Sequence, residues 1–149
     1  SDAPQSVIFA TGPLVHIALL AARALEGEGI NVNVVNVHTI KPLDGETVRS
    51  CLMLAAQCDG AKVETIEGLS DSGEVADLQT AFEQRNALQC GFCTPGMLAA
   101  AQDLLKRFKK VPSRDEIREH LSGNYCRCTG YHAIVDAVEA VAQARAKGR

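Results

Sequence analysis

The chain has 149 residues, of which 46% are apolar and 22% are charged, and its formal net charge is −3. These values are typical of one medium-sized or two small globular domains, and the slight acidic excess argues against a nucleic-acid-binding surface. No apolar run is long enough to span a bilayer, so we expect no membrane segment. The first residues lack a basic stretch, so we also expect no signal peptide and a cytoplasmic location.

The first part of the chain predicts a strand, a helix and a second strand. Residues 7–11 are apolar and β-prone, and residues 32–37 form a similar run. Between them, residues 14–25 carry closely spaced apolar side chains, which predict a largely buried helix that stops at Glu28 and Gly29. This order indicates a βαβ unit with parallel strands and a right-handed crossover.

Residues 46–73 predict one more helix and strand before a linker. We expect the helix from Glu46 to Gln57 and the strand from Ala61 to Ile66, which would complete a small parallel layer of three strands. The segment from Gly68 to Gly73 is polar and flanked by glycines, so we interpret it as a linker.

The second half of the chain predicts four helices. Apolar residues recur with helical spacing over residues 75–82, 97–108 and 134–142, and Ser113 and Glu116 form a capping box before a further helix. Short connections favour an antiparallel bundle. The expected fold class is therefore α+β, with a small βαβ-type α/β layer in residues 1–68 followed by a four-helix bundle in residues 69–149.

Four of the six cysteines lie in two tight pairs, a C-x2-C and a C-x-C: Cys90, Cys93, Cys126 and Cys128. A threonine follows each pair, and we expect Thr94 and Thr129 each to cap a helix, with Pro95 as the first helical residue. Two helix N-termini would then direct free N–H groups towards the thiolates and stabilise an anionic centre. The spacing permits either an iron–sulfur cluster or a four-cysteine zinc site.

The motifs Cys90-Gly91-Phe92-Cys93-Thr94-Pro95-Gly96 and Cys126-Arg127-Cys128-Thr129-Gly130-Tyr131 resemble those of the C-terminal [2Fe–2S] domain of the molybdenum hydroxylases. This family includes xanthine dehydrogenase, aldehyde oxidoreductase and aerobic carbon monoxide dehydrogenase, and the chain is most similar to its small iron–sulfur subunit. The resemblance also includes residues 44–51 and 66–69. It implies one [2Fe–2S] cluster, held by the four cysteines, that relays electrons from a molybdopterin centre. It also implies that molybdopterin is bound only by a large partner subunit, with a flavin subunit as a further partner.

The same resemblance assigns roles to other residues near the cysteines. It places Gln89 and Cys128 close to the molybdopterin of the partner, although a solvated Gln89 is an equal alternative. Cys51 matches the last ligand of a first cluster, but the C-x4-C-x2-C that would supply its partners is absent. We therefore interpret Cys51 as a structural cysteine and Cys58 as incidental, and we expect no complete active site in this chain.

Residues 1–44 resemble a second family, the C-terminal domain of transketolase, through residues 8–12 and 34–44. The chain then has the pattern of a fusion with a junction near Asp44 and Gly45. In the iron–sulfur family, electrons pass onward through the first cluster, so this relay would lack its usual exit. Two interpretations stay open: an electron-transfer subunit of a molybdenum hydroxylase, or an engineered or recombined chimera with a structural four-cysteine site and no turnover.

Overall fold

The computed structural model describes residues 6–10, 14–36, 47–48, 58 and 60–148. The chain divides into two compact units, one ending at Val63 and the other beginning at Glu64. No helix in the described part of the chain combines the length and hydropathy that a bilayer-spanning helix requires.

The first unit contains two strands and one helix in its described residues. Strands β1 (Ser6–Ala10) and β2 (Val32–Asn36) pair in parallel along all five residues of each strand. Helix α1 (Leu14–Glu26) connects them in sequence and contacts both. The order and the parallel pairing agree with the predicted βαβ segment, although the described sheet has two strands and not three.

Helix α1 is less buried than its composition suggests. Ala18 and Ala22 are buried, whereas Ile17, Leu19 and Leu20 are 59%, 45% and 52% exposed. Among the described residues, β1 and β2 contact α1, and the buried stripe of the helix consists of small alanines. The prediction of a largely buried helix is therefore wrong for these residues.

The predicted third strand, Ala61–Ile66, is also wrong. Residues 61–65 have no regular secondary structure, and Ile66 is the first residue of a helix that packs against the core of the second unit. Of the apolar side chains in this segment, that of Ile66 packs against the helical core. The helix predicted from Glu46 to Gln57 and the side chain of Cys51 lie outside the described residues, apart from positions 47 and 48.

The second unit is a bundle of five helices. They are α2 (Ile66–Asp71), α3 (Ala76–Gln84), α4 (Thr94–Arg107), α5 (Arg114–Leu121) and α6 (His132–Lys147). Helix α2 occupies the segment interpreted as a linker, so that interpretation is wrong. Leu69 is buried in the core, and the Ser70 hydroxyl donates to the Ile66 carbonyl, so one apolar contact and local hydrogen bonds hold this short turn.

Helix α4 is the centre of the bundle, because all ten residues from Gly96 to Leu105 are buried. It contacts α2, α3 and α5, and α6 packs against α3 and α5. The largest fully buried side chains come from α3, α4, α5 and α6 and from the residue before α3: Val75, Leu78, Phe82, Met97, Leu104, Ile117, Leu121, Ile134, Val135 and Val138. The predicted helical faces therefore form one core.

A polar cluster ties three helices together next to this core. Arg145 of α6 donates to both carboxylate oxygens of Asp77 at 2.7 Å and to the side-chain carbonyl of Gln102 at 2.9 Å. Gln102 is only 6% exposed although it is polar. Glu74 accepts from Gln102 and forms an ion pair with Lys106. The cluster therefore satisfies the one glutamine that α4 buries.

A second buried polar group joins α4 to α5. The Asp103 carboxylate is 5% exposed and accepts from Arg107 Nε at 2.8 Å and from His120 Nε2 at 3.2 Å. Helix α5 begins with the predicted capping box, in which Ser113 Oγ accepts from the Glu116 N–H and the Glu116 carboxylate accepts from the Ser113 N–H. Both features orient α5, whose C-terminal end leads into the second cysteine loop.

Candidate metal centre

Two loops bring the four predicted cysteines together at the N-terminal ends of α4 and α6. The first loop, residues 88–93, leads into α4, and the second loop, residues 122–131, leads into α6. Cys128 Sγ lies 3.5 Å from Cys90 Sγ, and the Cys93 and Cys126 thiols are close enough for each to shift the pKa of the other. The sulfurs thus form two pairs, and each pair joins one loop to the other.

The first loop reverses direction between its two cysteines. Gly91 has a φ of 80°, a left-handed conformation that a residue with a side chain adopts only at a cost. The turn lets the Phe92 N–H donate to the Cys90 sulfur, and the Thr94 N–H donates to the Gly91 carbonyl at 3.1 Å. Gly91 therefore allows a backbone donor to reach the first thiol.

Helix α4 begins one residue earlier than predicted. Cys93 is the N-cap, Thr94 is the first helical residue, and the Thr94 hydroxyl makes no capping hydrogen bond. The prediction that Thr94 is the cap is therefore wrong. Its Oγ1 atom is buried, and it is the only such side-chain oxygen or nitrogen among the described residues that has no hydrogen-bond partner. A buried hydroxyl without an acceptor, next to Cys93 in sequence, suits a site that binds an anion.

The second loop is closed by its own hydrogen bonds. The Cys126 N–H donates to the Tyr131 hydroxyl at 2.8 Å, and the Tyr131 N–H donates to Thr129 Oγ1 at 3.3 Å. Thr129 in turn contacts Cys126 Sγ through both its hydroxyl, at 3.1 Å, and its N–H, at 3.4 Å. These bonds hold the Cys126 sulfur in place relative to the start of α6.

Tyr131, and not Thr129, is the N-cap of α6. Its φ is 69°, which is unusual for a residue other than glycine and costs roughly 1 kcal/mol or more. The Thr129 hydroxyl makes its contacts within the loop, so the prediction that it caps the helix is wrong. The Cys126 N–H donates to the Tyr131 hydroxyl, and this hydrogen bond helps to hold Tyr131 in its strained conformation. Such strain is common at functional sites.

The pKa of each thiol depends on its position in a pair. Burial, reinforced by the hydrogen bond to Cys126, raises the pKa of Cys93 to about 12. Burial also acts to raise the pKa of Cys126, but the hydrogen bonds from Thr129 outweigh it, and the pKa falls to about 7. In the exposed pair, the N–H of Phe92 and the thiol of Cys128 lower the pKa of Cys90, and donation to Cys90 raises that of Cys128. Each pair therefore contains one thiol whose pKa is lowered and one whose pKa is raised, and metal binding must release the protons that remain.

The donor set fits an iron–sulfur cluster. Four cysteine sulfurs are the usual ligands of a [2Fe–2S] centre, and backbone N–H groups already point at two of them. The two sulfur pairs match a binuclear centre, in which each iron takes two protein ligands. No three of the described histidine, cysteine, aspartate and glutamate side chains converge as closely as a single metal ion requires.

The two sulfur pairs differ in exposure. Cys90 and Cys128 are exposed, whereas Cys93 and Cys126 are partly buried and pack against the bundle core. Two aromatic side chains near the loops are also exposed, Phe92 by 66% and Tyr125 by 85%. One side of the site therefore faces the bundle and the other faces solvent.

The structure also describes three other residues singled out in the sequence. Gln89 is exposed in the first loop, directly before Cys90, and Arg127 is exposed between the cysteines of the second loop. Cys58 is partly buried and free. The hydrogen bonds of Thr129 and Tyr131 around Cys126 were not predicted from the sequence. Their position within the C-x-C-T-G-Y motif was the available signal.

The comparisons with known proteins separate the two parts of the chain. Residues 65–139, just over half of the chain, match the family described as the [2Fe-2S] binding domain. Residues 1–59 match the C-terminal domain of transketolase. Residues 60–64 lie between the two matches, and the predicted junction near Asp44 and Gly45 falls within the transketolase match.

Among curated proteins, the chain is 55% identical over 96 residues to the nicotine 6-hydroxylase small subunit of Paenarthrobacter nicotinovorans, covering 64% of this chain and 57% of that protein. It is 50% identical over 103 residues to caffeine dehydrogenase subunit gamma of Pseudomonas sp. (strain CBB1), covering 66% and 60%. The chain thus spans less than two-thirds of the length of these relatives.

The chain is also similar to a solved structure. Quinoline 2-oxidoreductase from Pseudomonas putida 86 contains a chain that is 52% identical to this one, with a TM-score of 0.62 over 74% of this chain and 68% of that chain. The C-x2-C and C-x-C loops at the ends of α4 and α6 lie within the segment that matches the family. The chain therefore belongs to the [2Fe–2S] binding domain family, that of the small iron–sulfur subunits of molybdenum hydroxylases.

Proposed function

We propose that the helical unit holds one [2Fe–2S] cluster on Cys90, Cys93, Cys126 and Cys128 and relays single electrons for a larger oxidoreductase. The observation that carries this proposal is the pairing of the four sulfurs across the two loops, Cys90 with Cys128 and Cys93 with Cys126. Each iron of a binuclear centre takes two protein ligands, so two such pairs supply the full set.

The bound cluster supplies a one-electron redox centre, and the protein controls its environment. Cys93 and Cys126 hold the inner side against the core, where burial limits access of water. The N–H groups of Phe92 and Thr129 and the Thr129 hydroxyl stabilise negative charge on sulfur. We assign the substrate chemistry to a partner.

We further propose that the exposed side of the site faces a large subunit that binds molybdopterin, within a complex that also includes a flavin subunit. Curated relatives are called a small subunit and a subunit gamma, which supports assembly with other chains. Cys90 and Cys128 are exposed, and Gln89 is exposed beside Cys90, so these three residues are available to such a partner. Electron transfer then enters through the outer sulfur pair.

One specific observation favours a second candidate function. Residues 1–59 match the transketolase C-terminal domain, and no cysteine precedes Cys51 in the sequence. Residues 1–50 therefore supply none of the cysteines that a second cluster would need beside Cys51. The alternative is an engineered or recombined chimera whose four cysteines form a structural site, with iron–sulfur or zinc, and which supports no turnover.

We propose the same organisation for the whole chain as its sequence indicates. The first domain is a small α/β layer, and the helical domain that follows binds the cluster; the sequence predicts the boundary near residue 68, and the compact units divide between Val63 and Glu64. The parallel pairing of β1 and β2 supports the α/β assignment. The five described cysteines are free thiols, which supports a reducing compartment such as the cytoplasm.

Anaerobic reconstitution with iron and sulfide tests the proposal. We expect two irons and two sulfides per chain, a visible absorption band and an EPR signal from a spin of one half on reduction. Replacement of Cys93 by serine should remove most of the iron, whereas Cys58→Ser, the matched control, should leave it unchanged. Zinc at one per chain, or equal iron in both variants, would reject the cluster assignment in favour of the structural alternative.

A further inference from the structure

Thr129 contacts the sulfur of one candidate ligand twice. Its hydroxyl oxygen lies 3.1 Å from Cys126 Sγ, and its backbone nitrogen lies 3.4 Å from the same atom. The hydroxyl oxygen also accepts a hydrogen bond from the Tyr131 N–H at 3.3 Å. Thr129 is therefore held in position from both sides, by Cys126 and by the first turn of α6.

The direction of the hydroxyl contact follows from the chemistry of ligation. A cysteine that binds iron is a thiolate and has no proton to donate. The Tyr131 N–H already donates to the Thr129 oxygen, so the hydroxyl proton is free to point towards Cys126 Sγ. In the loaded protein, Thr129 must then be the donor and Cys126 the acceptor.

A hydrogen bond of this kind acts differently on the two oxidation states. The reduced centre carries one more negative charge than the oxidised centre, so a donor to a ligating sulfur stabilises it more and raises the reduction potential. Cys126 is partly buried beside the core, where weaker screening by water strengthens the effect.

We propose that Thr129 is a positioning residue that raises the reduction potential of the cluster through the hydrogen bond from its hydroxyl to Cys126. The inference rests on the proposed function, because it requires a cluster on Cys126. The corresponding residue of the first loop differs, since the hydroxyl of Thr94 is buried and makes no hydrogen bond among the described residues. The two loops therefore contribute unequally to the hydrogen bonds around the cluster. The Thr129 hydroxyl has both a donor, the Tyr131 N–H, and an acceptor, Cys126 Sγ.

The test compares Thr129→Val with Thr129→Ser in the full chain, reconstituted with iron and sulfide. Valine keeps the shape of threonine and the backbone N–H but removes the hydroxyl, whereas serine keeps it. Thr80→Val is a matched control, because the Thr80 hydroxyl donates to the Ala76 carbonyl on the exposed face of α3. Dithionite supplies one electron per cluster through mediators, and the EPR signal reports the fraction reduced at each potential.

We expect Thr129→Val to disfavour the reduced state by about tenfold, which lowers the potential of a one-electron couple by about 59 mV. The reduction potentials of Thr129→Ser and Thr80→Val should stay close to that of the unmodified chain. An unchanged potential in Thr129→Val at full iron content would overturn the inference. An equal shift in Thr129→Ser would do the same, because the hydroxyl would then not be the cause.

The iron content separates this inference from the function on which it rests. If the unmodified chain binds no iron, the proposed function fails before any potential is measured. If only Thr129→Val fails to load, Thr129→Ala takes its place in the comparison. If both fail while Thr129→Ser loads, Thr129 is needed to build the site, and its assignment as a residue that tunes the potential is overturned.

Discussion

Replacement of Arg145 by methionine tests whether the polar cluster stabilises the bundle. Arg145 of α6 makes a two-pronged contact with Asp77 of α3 and donates to the buried side chain of Gln102 in α4. Methionine retains the aliphatic stem and a comparable helix propensity, so the substitution removes chiefly these polar contacts. The variant thereby separates their contribution from hydrophobic packing.

The expected cost follows from the exposure of each partner. The side chains of Arg145 and Asp77 are 27% and 48% exposed, so solvent screening limits this ion pair to about 0.5–1 kcal/mol. Gln102 is only 6% exposed, and a buried carbonyl that loses its donor costs about 1–3 kcal/mol. We therefore expect Arg145→Met to lower the free energy of unfolding by about 2 kcal/mol.

Urea unfolding, followed by far-ultraviolet circular dichroism, measures this cost at equal iron content, because bound metal adds its own stabilisation. The midpoint should fall by roughly 1 M with an unchanged slope. Arg118→Met is the matched control, since the partner of Arg118 is Asp115, whose side chain is 93% exposed. An effect of Arg145→Met no larger than that of the control would refute the reasoning.

Three further predictions concern the same unit. Leu104→Ala removes a fully buried side chain of α4 and should cost about 2–5 kcal/mol in urea unfolding, and a value below 1 kcal/mol would show that the core relaxes around the gap. Ser113→Ala removes the N-cap of α5 and should cost about 1 kcal/mol, whereas Ser122→Ala, past the end of α5, should be nearly neutral. The hydrogen bond from Arg145 holds the pKa of Asp77 below its usual 3.8, so this stabilisation is complete above that pH and is lost as pH falls through the lower, folded value. In thermal unfolding of metal-free samples, the difference in midpoint temperature between the unmodified chain and Arg145→Met should therefore narrow in acid. A difference that stays constant with pH would contradict the assignment to Asp77.

The bundle could be predicted well because its signals are local. Apolar residues at helical spacing marked the buried faces of α3, α4 and α6, and the pair of Ser113 and Glu116 marked the start of α5. Helix α2 was missed because six residues that include a glycine and a serine carry little periodic signal. Its position depends on Leu69, which becomes an anchor only where the other helices have already formed a core.

The first unit shows the opposite balance. The same β-prone composition that correctly indicated β1 and β2 also suggested a strand at residues 61–66. Propensity cannot distinguish a strand from an irregular segment that enters a helix, because pairing partners decide the matter. The expected burial of α1 failed at Ile17, Leu19 and Leu20 for a related reason, since packing partners, and not the composition of the helix, set how many of its faces are covered.

The sequence by itself determined the identity of the candidate ligands, because the C-x2-C and C-x-C spacings already bring each pair of thiols within reach of one centre. Tertiary structure alone decided that Cys90 lies beside Cys128 and Cys93 beside Cys126, and that one pair is exposed while the other packs against the core. It also decided that Cys93 and Tyr131, and not the two threonines, cap the helices. These features depend on two loops that are separated in sequence by the whole of α4 and α5 and meet at one end of the bundle, and no local pattern encodes that meeting.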